Sequence, residues 1–164
     1  MGNRVFNLYK FKALFRLPVL PPFERAVADL DAGRHAEALV QFETLLAAEN
    51  LTPAERAKVA NKRGIALVKL GRRDEALQAF QNVLDAMPRY APSLVNVGNL
   101  CLEDGSIDDA VMHYEAAIRA DDEYPVAHLN LGVALKHLGR TSESVRELKK
   151  ASRLEGRLLT KRRK

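Results

Sequence analysis

The sequence predicts an all-α protein built as a stacked array of helix pairs, and three observations carry that prediction. First, glycine recurs at a step of 34 residues: Gly64, Gly98 and Gly132 open the pattern, and Gly71, Gly105 and Gly139 follow seven residues after each. A period of this length marks one supersecondary unit that cannot bury its apolar face alone and must stack on its neighbours. Second, other columns keep the same step and stay apolar or small: Leu67, Cys101 and Leu135; Ala76, Ala110 and Ser144; Leu77, Val111 and Val145; Phe80, Tyr114 and Leu148; Val83, Ala117 and Ala151. Third, no stretch shows the strict apolar–polar alternation of a half-buried strand.

The elements follow from this frame. Helix pairs are predicted at 22–32 with 35–48, 53–70 with 73–86, 91–104 with 107–120, and 125–138 with 141–156. The first pair is a degenerate copy: Gly33, Ala38, Leu39, Phe42 and Leu45 match Gly71, Ala76, Leu77, Phe80 and Val83 after a shift of 38, so four extra residues fall near Leu51 to Ala54. Thr52-Pro53-Ala54-Glu55 is a capping box with proline at the first helical position, which sharpens the start of the third helix. Pro92 and Pro125 stand just inside later helix starts, where a missing backbone donor costs nothing. Each second helix carries apolar residues at helical spacing, as in Ala76, Leu77, Phe80, Val83 and Leu84.

These residues resemble the tetratricopeptide repeat (TPR) family, whose 34-residue helix-turn-helix unit has small residues where its helices touch. The resemblance covers roughly Pro22 to Gly156, and Asn96-Val97-Gly98 with Asp108-Asp109-Ala110-Val111 and Tyr114 is its best single match. Pro88 closes one repeat as the family pattern has it, whereas Asp122 and Gly156 occupy that column in the next two. The resemblance implies a right-handed α-α superhelix of about four repeats, at 22–52, 53–90, 91–124 and 125–156; outside it, residues 1–21 are read as an extra N-terminal helix and 157–164 as a basic tail.

Composition bounds the function classes. The 164 residues are 47% apolar, enough for one domain with a continuous core if the repeats stack. A single cysteine excludes an intramolecular disulfide and a cysteine-cluster zinc site. No run of about 18 uncharged apolar residues suggests a membrane-spanning helix, and the expected compartment is the cytoplasm.

Residues 1–21 read separately. They carry Arg4, Lys10, Lys12 and Arg16, no acidic residue, and the aromatics Phe6, Tyr9, Phe11 and Phe15. The recurring basic residues interrupt the apolar region a secretory signal needs, the segment lacks the serine of a transit peptide, and Phe6 stands where a myristoylation motif after Gly2 wants Ser or Thr. Two readings remain: a helix lying on an anionic membrane surface or a partner, and a cap on the first repeat, whose exposed apolar face needs cover. Self-association is a third use, with the segment filling its own or a neighbour's groove.

Charge is unevenly spread over the net +5. From Lys136 to Lys164 eleven basic residues face Glu143, Glu147 and Glu155, whereas from Asn99 to Ala127 eight acidic residues face Arg119 alone. The tail Lys161-Arg162-Arg163-Lys164 fits either a weak contact with nucleic acid or anionic lipid, or a solvated helix end favoured by the macrodipole. No aromatic residue interleaves with these charges to stack on bases.

In the family the first helices of successive repeats line a concave binding groove. Projected onto this sequence, the groove residues are Lys58, Asn61, Lys62, Ile65, Val68 and Lys69; Val95, Asn96, Asn99, Leu102 and Glu103; and Leu129, Asn130, Val133, Lys136 and His137. That lining, apolar in its floor and basic at both ends, suits a peptide or helix with apolar anchors and some acidic character. Asn96 and Asn130 share a column that resembles the asparagine ladder by which family members hold a peptide backbone, since an amide both donates and accepts. Lys62 takes that place one repeat earlier, leaving two rungs, and Lys58, Lys62, Asn96 and Asn99 match a carboxylate clamp only loosely.

Catalysis finds little footing. His35, His113, His128 and His137 fall on separate elements without paired spacing, Cys101 shares a column with two leucines, and Asp108 with Asp109 belongs to a helix start. The expected protein is non-enzymatic, without metal, cofactor or small-molecule substrate. It is an adaptor or scaffold binding a protein or peptide partner in the groove, the alternative being a peripheral membrane- or nucleic-acid-associated protein that uses its basic termini.

Overall fold

A computed structural model describes residues 21–162, which form α1 (Pro22–Asp31), α2 (His35–Leu46), α3 (Pro53–Lys69), α4 (Arg73–Ala86), α5 (Ala91–Glu103), α6 (Ile107–Ala120), α7 (Pro125–His137) and α8 (Thr141–Arg162). Among the described residues there is no strand. The readings of residues 1–20 as cap, membrane helix or groove occupant lie outside the described residues. Each helix packs on its sequence neighbours, and α1 also touches α3, α3 touches α5 and α5 touches α7. The first helices of the pairs therefore form one layer and the second helices another.

Glycine ends the first helices. Gly33, Gly71, Gly105 and Gly139 have φ between +72° and +80°, the left-handed region that side chains resist. At Gly71 the reversal is closed by Arg72 N–H donating to Leu67 O at 2.9 Å and Gly71 N–H to Val68 O at 3.0 Å, and the other three turns repeat this pairing.

The second set of glycines does different work. A Cβ on Gly98 would stand 2.7 Å from Tyr114 Cε1, and one on Gly132 would stand 2.8 Å from Leu148 Cδ2. The Phe80 ring sits still closer to Gly64. In the last three pairs a large side chain from the second helix thus lies directly on the backbone of its first helix, an approach only glycine permits. Phe80 and Tyr114 are buried in two core clusters that Leu84 and Cys101 join.

The four extra residues near Leu51 become structure. Helix α3 has 17 residues against 13 in α5 and α7, and Ala57 occupies the column of Ala91 and Pro125. Pro53 to Arg56 is thus one additional turn, and because a turn takes about 3.6 residues the apolar stripe of α3 keeps its direction. The capping box forms at its start: Glu55 N–H donates to Thr52 Oγ1 at 3.2 Å and Thr52 N–H to Glu55 Oε2 at 2.9 Å. Arg56 reaches back to Leu46 O and Ala48 O at 2.8 and 3.0 Å, pairing carbonyls left open at the end of α2.

The last helix departs from the expected end at Gly156 and continues to Arg162. Gly156 is exposed with open space around it, so it costs only about 1 kcal/mol of helix propensity. Leu154 is buried one half-turn earlier and anchors the helix, and Thr160 Oγ1 donates to Gly156 O at 2.8 Å. Residues 157–162 extend the repeat array as helix instead of forming a separate tail.

Candidate functional site

Most of the residues projected onto a groove are accessible on the first-helix layer. Lys58, Lys69, Leu129, Val133, Lys136 and His137 are exposed, and Lys62, Ile65, Val68, Asn96, Asn99, Leu102 and Asn130 are partly exposed. Two are corrections: Asn61 and Val95 are only 5% and 2% exposed, because the next first helix packs over that column. They belong to the contact between repeats. Glu103, also projected onto the groove, is exposed and bridges to Arg73 at 2.6 Å, and Asp104 does so at 2.8 Å, tying α5 to the start of α4.

The asparagines are partly spent on the protein itself. Asn96 Nδ2 donates to Asn61 Oδ1 at 2.8 Å, and Ser93 Oγ donates to the same oxygen at 3.0 Å. One repeat on, Asn130 Nδ2 donates to Asn99 Oδ1 at 2.7 Å, and Tyr114 Oη donates to that oxygen at 2.8 Å. The steps from the second repeat to the third and from the third to the fourth therefore each carry an amide–amide bond with a hydroxyl on the same acceptor, which satisfies polar groups the stacking buries. The arrangement fixes the Asn96 and Asn130 side chains with their amide nitrogens turned into the protein. Burial holds the Tyr114 hydroxyl protonated, its pKa pushed up to about 12. Sequence reasoning missed Ser93 and Tyr114 in this role. Ser93 did carry a signal, standing in the column of Val59 and Ala127.

Positive charge flanks this layer. Lys58 Nζ stands 4.5 Å over the centroid of the Phe23 ring, an arrangement that engages the ammonium face of α3 with α1.

The histidines and the cysteine do not converge. His128 is buried, with Nδ1 2.7 Å from Glu147 Oε2 and Nε2 3.1 Å from Asp122 O. Both neighbours are acceptors, so the ring pins α7 to α8 and to the loop after α6. Burial alone would raise the Glu147 carboxyl, but the hydrogen bonds from His128 and Arg146 outweigh it and hold the group below the usual carboxylate value. His113 is half-buried against Gly98, and burial pushes its imidazole down. His35 opens α2 and His137 is exposed. The Cys101 thiol is pushed up by burial, then by Asp109 and Asp104, which leaves it in the unreactive form. Among the described residues no group of three or more His, Cys, Asp or Glu side chains could hold a metal ion, and no helix is long and apolar enough to cross a membrane.

Known proteins share this architecture. MamA is similar at 20% identity with a TM-score of 0.64, covering 93% of this chain and 86% of that one. The second TPR of Spaghetti (RPAP3), solved bound to the HSP90 peptide SRMEEVD, is similar at 22% identity with a TM-score of 0.56, covering 60% of this chain and 91% of that one. YrrB, described as a TPR protein with an unusual peptide-binding site, is similar at 20% identity with a TM-score of 0.59, covering 82% of this chain and 68% of that one. At these identities the likeness concerns the fold. A family model described as tetratricopeptide repeat matches residues 23–91 and 61–125, and a second of the same description matches 101–156. With its glycine step, its paired helices and these matches, the chain belongs to the tetratricopeptide repeat family.

Proposed function

We propose that this chain is a non-enzymatic protein-interaction module, an adaptor that holds a peptide-like or helical segment of a partner along its first-helix layer. The observation that carries the reading is the orientation of Asn96 and Asn130. Each amide donates into the protein through Nδ2, to Asn61 and to Asn99, which turns the same side chain's Oδ1 to a defined direction on successive repeats. Two fixed carbonyl oxygens in one column suit the N–H groups of an extended backbone. Around them Ile65, Leu102 and Val133 offer apolar contact, and Lys58, Lys62, Lys69 and Lys136 favour a segment with acidic character. The peptide-bound RPAP3 repeat and the peptide site of YrrB support the class of ligand.

A peptide-array screen of the full chain tests this. Peptides selected by the wild type should bind Asn96→Ala plus Asn130→Ala at least about tenfold more weakly, the loss of two hydrogen bonds. A Lys58→Glu, Lys62→Glu and Lys69→Glu variant should lose the acidic peptides first. Unchanged binding by the double asparagine variant removes the ladder from the account.

A further inference from the structure

Among the described residues, the outer face of α7 and α8 is an open inter-repeat surface. Leu129 stands in the column of Asn61 and Val95, yet it is 47% exposed where they are 5% and 2%. Ser152 is likewise exposed where Leu84 and Ile118, its column partners, are partly buried. Helix α8 widens this surface with two further turns, on which Leu158 and Leu159 are 45% and 56% exposed. Together Val126, Leu129, Leu148, Leu158 and Leu159 line a depression of about 360 Å³ between α7 and α8.

We infer that this end of the solenoid is a docking site for an acidic amphipathic helix of a partner protein. The interface has a template one repeat earlier. There Val95 shares a buried cluster with Ala127, Leu131, Ala134 and Leu135 of α7, so the covering helix presents a small residue, a leucine, a small residue and a leucine at steps of four, three and one. The same contact continued past α8 takes a helix of the same stripe. The matching face of this chain's own first repeat does not supply it: the equivalent positions on α1 are Pro21, Arg25, Ala28 and Asp29, and Asp29 is bonded to Arg34 and Gln41. Charge sets the flanks of the partner. Lys136 and His137 continue the free stripe of α7, and Lys149 and Arg153 form the neighbouring stripe of α8, all four exposed, while Glu155 is the acidic residue in the lining. This surface meets the first-helix layer proposed above at one edge, where it shares Leu129, Val133, Lys136 and His137, and is otherwise distinct from it.

Fluorescence anisotropy of the full chain with two synthetic helical peptides tests the inference. Both peptides carry Ala, Leu, Ala and Leu in the spacing of residues 127, 131, 134 and 135, one with Glu and the other with Lys at the remaining exposed positions. The Glu peptide should bind about tenfold tighter or more at low salt, with the gap closing as salt rises. Leu158→Ser with Leu159→Ser should weaken it about tenfold, and Lys149→Glu with Arg153→Glu should erase the preference between the peptides. Asn96→Ala plus Asn130→Ala should leave this binding unchanged, so failure here and failure of the groove reading are separable. Equal binding of both peptides, no binding, or indifference to the leucine pair overturns the inference. So does displacement of the Glu peptide by a synthetic peptide of residues 1–20, which would make the chain's own segment the occupant. Concentration-dependent dimerisation that the leucine pair abolishes also overturns it, in favour of a second copy.

Discussion

The third repeat, α5 with α6, and the fourth, α7 with α8, follow one sequence pattern and meet different surroundings. In the third, Tyr114 lies buried on Gly98, its hydroxyl bonded to Asn99, and Val95 is covered by α7. In the fourth, Leu148 lies on Gly132 and is only partly buried, and Leu129 is open. The contacts inside each helix pair are alike; those across the pair's outer face are not. A position in such an array therefore acquires its burial from the next unit, and its energetic weight with it.

The largest break in this comparison should come from placing a carboxylate in the shared column. Val95→Asp should destabilise the chain by ~3–5 kcal/mol, because an uncompensated charge is buried between repeats. Leu129→Asp should stay within about 0.5 kcal/mol, as an exposed substitution does. Urea midpoints of the two variants measure the difference, and equal losses would mean that the end face is as covered as the interior.

The two glycine sets should separate next. Gly98→Ala drives a Cβ into the Tyr114 ring and should cost ~1–3 kcal/mol through overpacking. Gly105→Ala meets open space but takes a left-handed φ of +80°, a strain of about 1–2 kcal/mol. Adding Tyr114→Leu should rescue Gly98→Ala in part and leave Gly105→Ala unaffected, read as thermal midpoints of the double variants.

The smallest effect concerns the fourth repeat alone. Glu147 titrates below its usual value of 4.5 in the folded chain, so its contribution to stability is present above that pH and is lost as pH falls through the folded value. Thermal melts from pH 6 to 3 should decline less steeply for Glu147→Gln than for the wild type. Glu55, Glu75, Glu143 and Asp29 are lowered as well, by hydrogen bonds from Thr52, Arg72, Arg140 and Gln41 respectively, so some slope should remain.

The fold was legible to within a residue or two at most helix ends, because its signals are local. Glycine at the turns, proline at the starts and the Thr52–Glu55 box act within one turn of chain. The end of α8 was not legible, since Gly156 stops a helix only where a left-handed turn is stabilised, and at this position the helix simply continues. For the candidate site, the lysines and the outward asparagines were readable from helical register. The inward turn of Asn61 and Val95 was not, because their column faces the next helix and that contact spans more than thirty residues.

What the sequence by itself determined is the unit: two helices, a glycine-closed turn between them, and a glycine on which a large side chain rests. Spacing and backbone sterics suffice for that. Only the tertiary structure decided which copies of one column are core and which are surface, how the asparagines pair across repeats, and that among the described residues an apolar face stays open beside Leu158 and Leu159. Burial and hydrogen bonding between units depend on the neighbour that stacks, and a single period of sequence does not contain its neighbour.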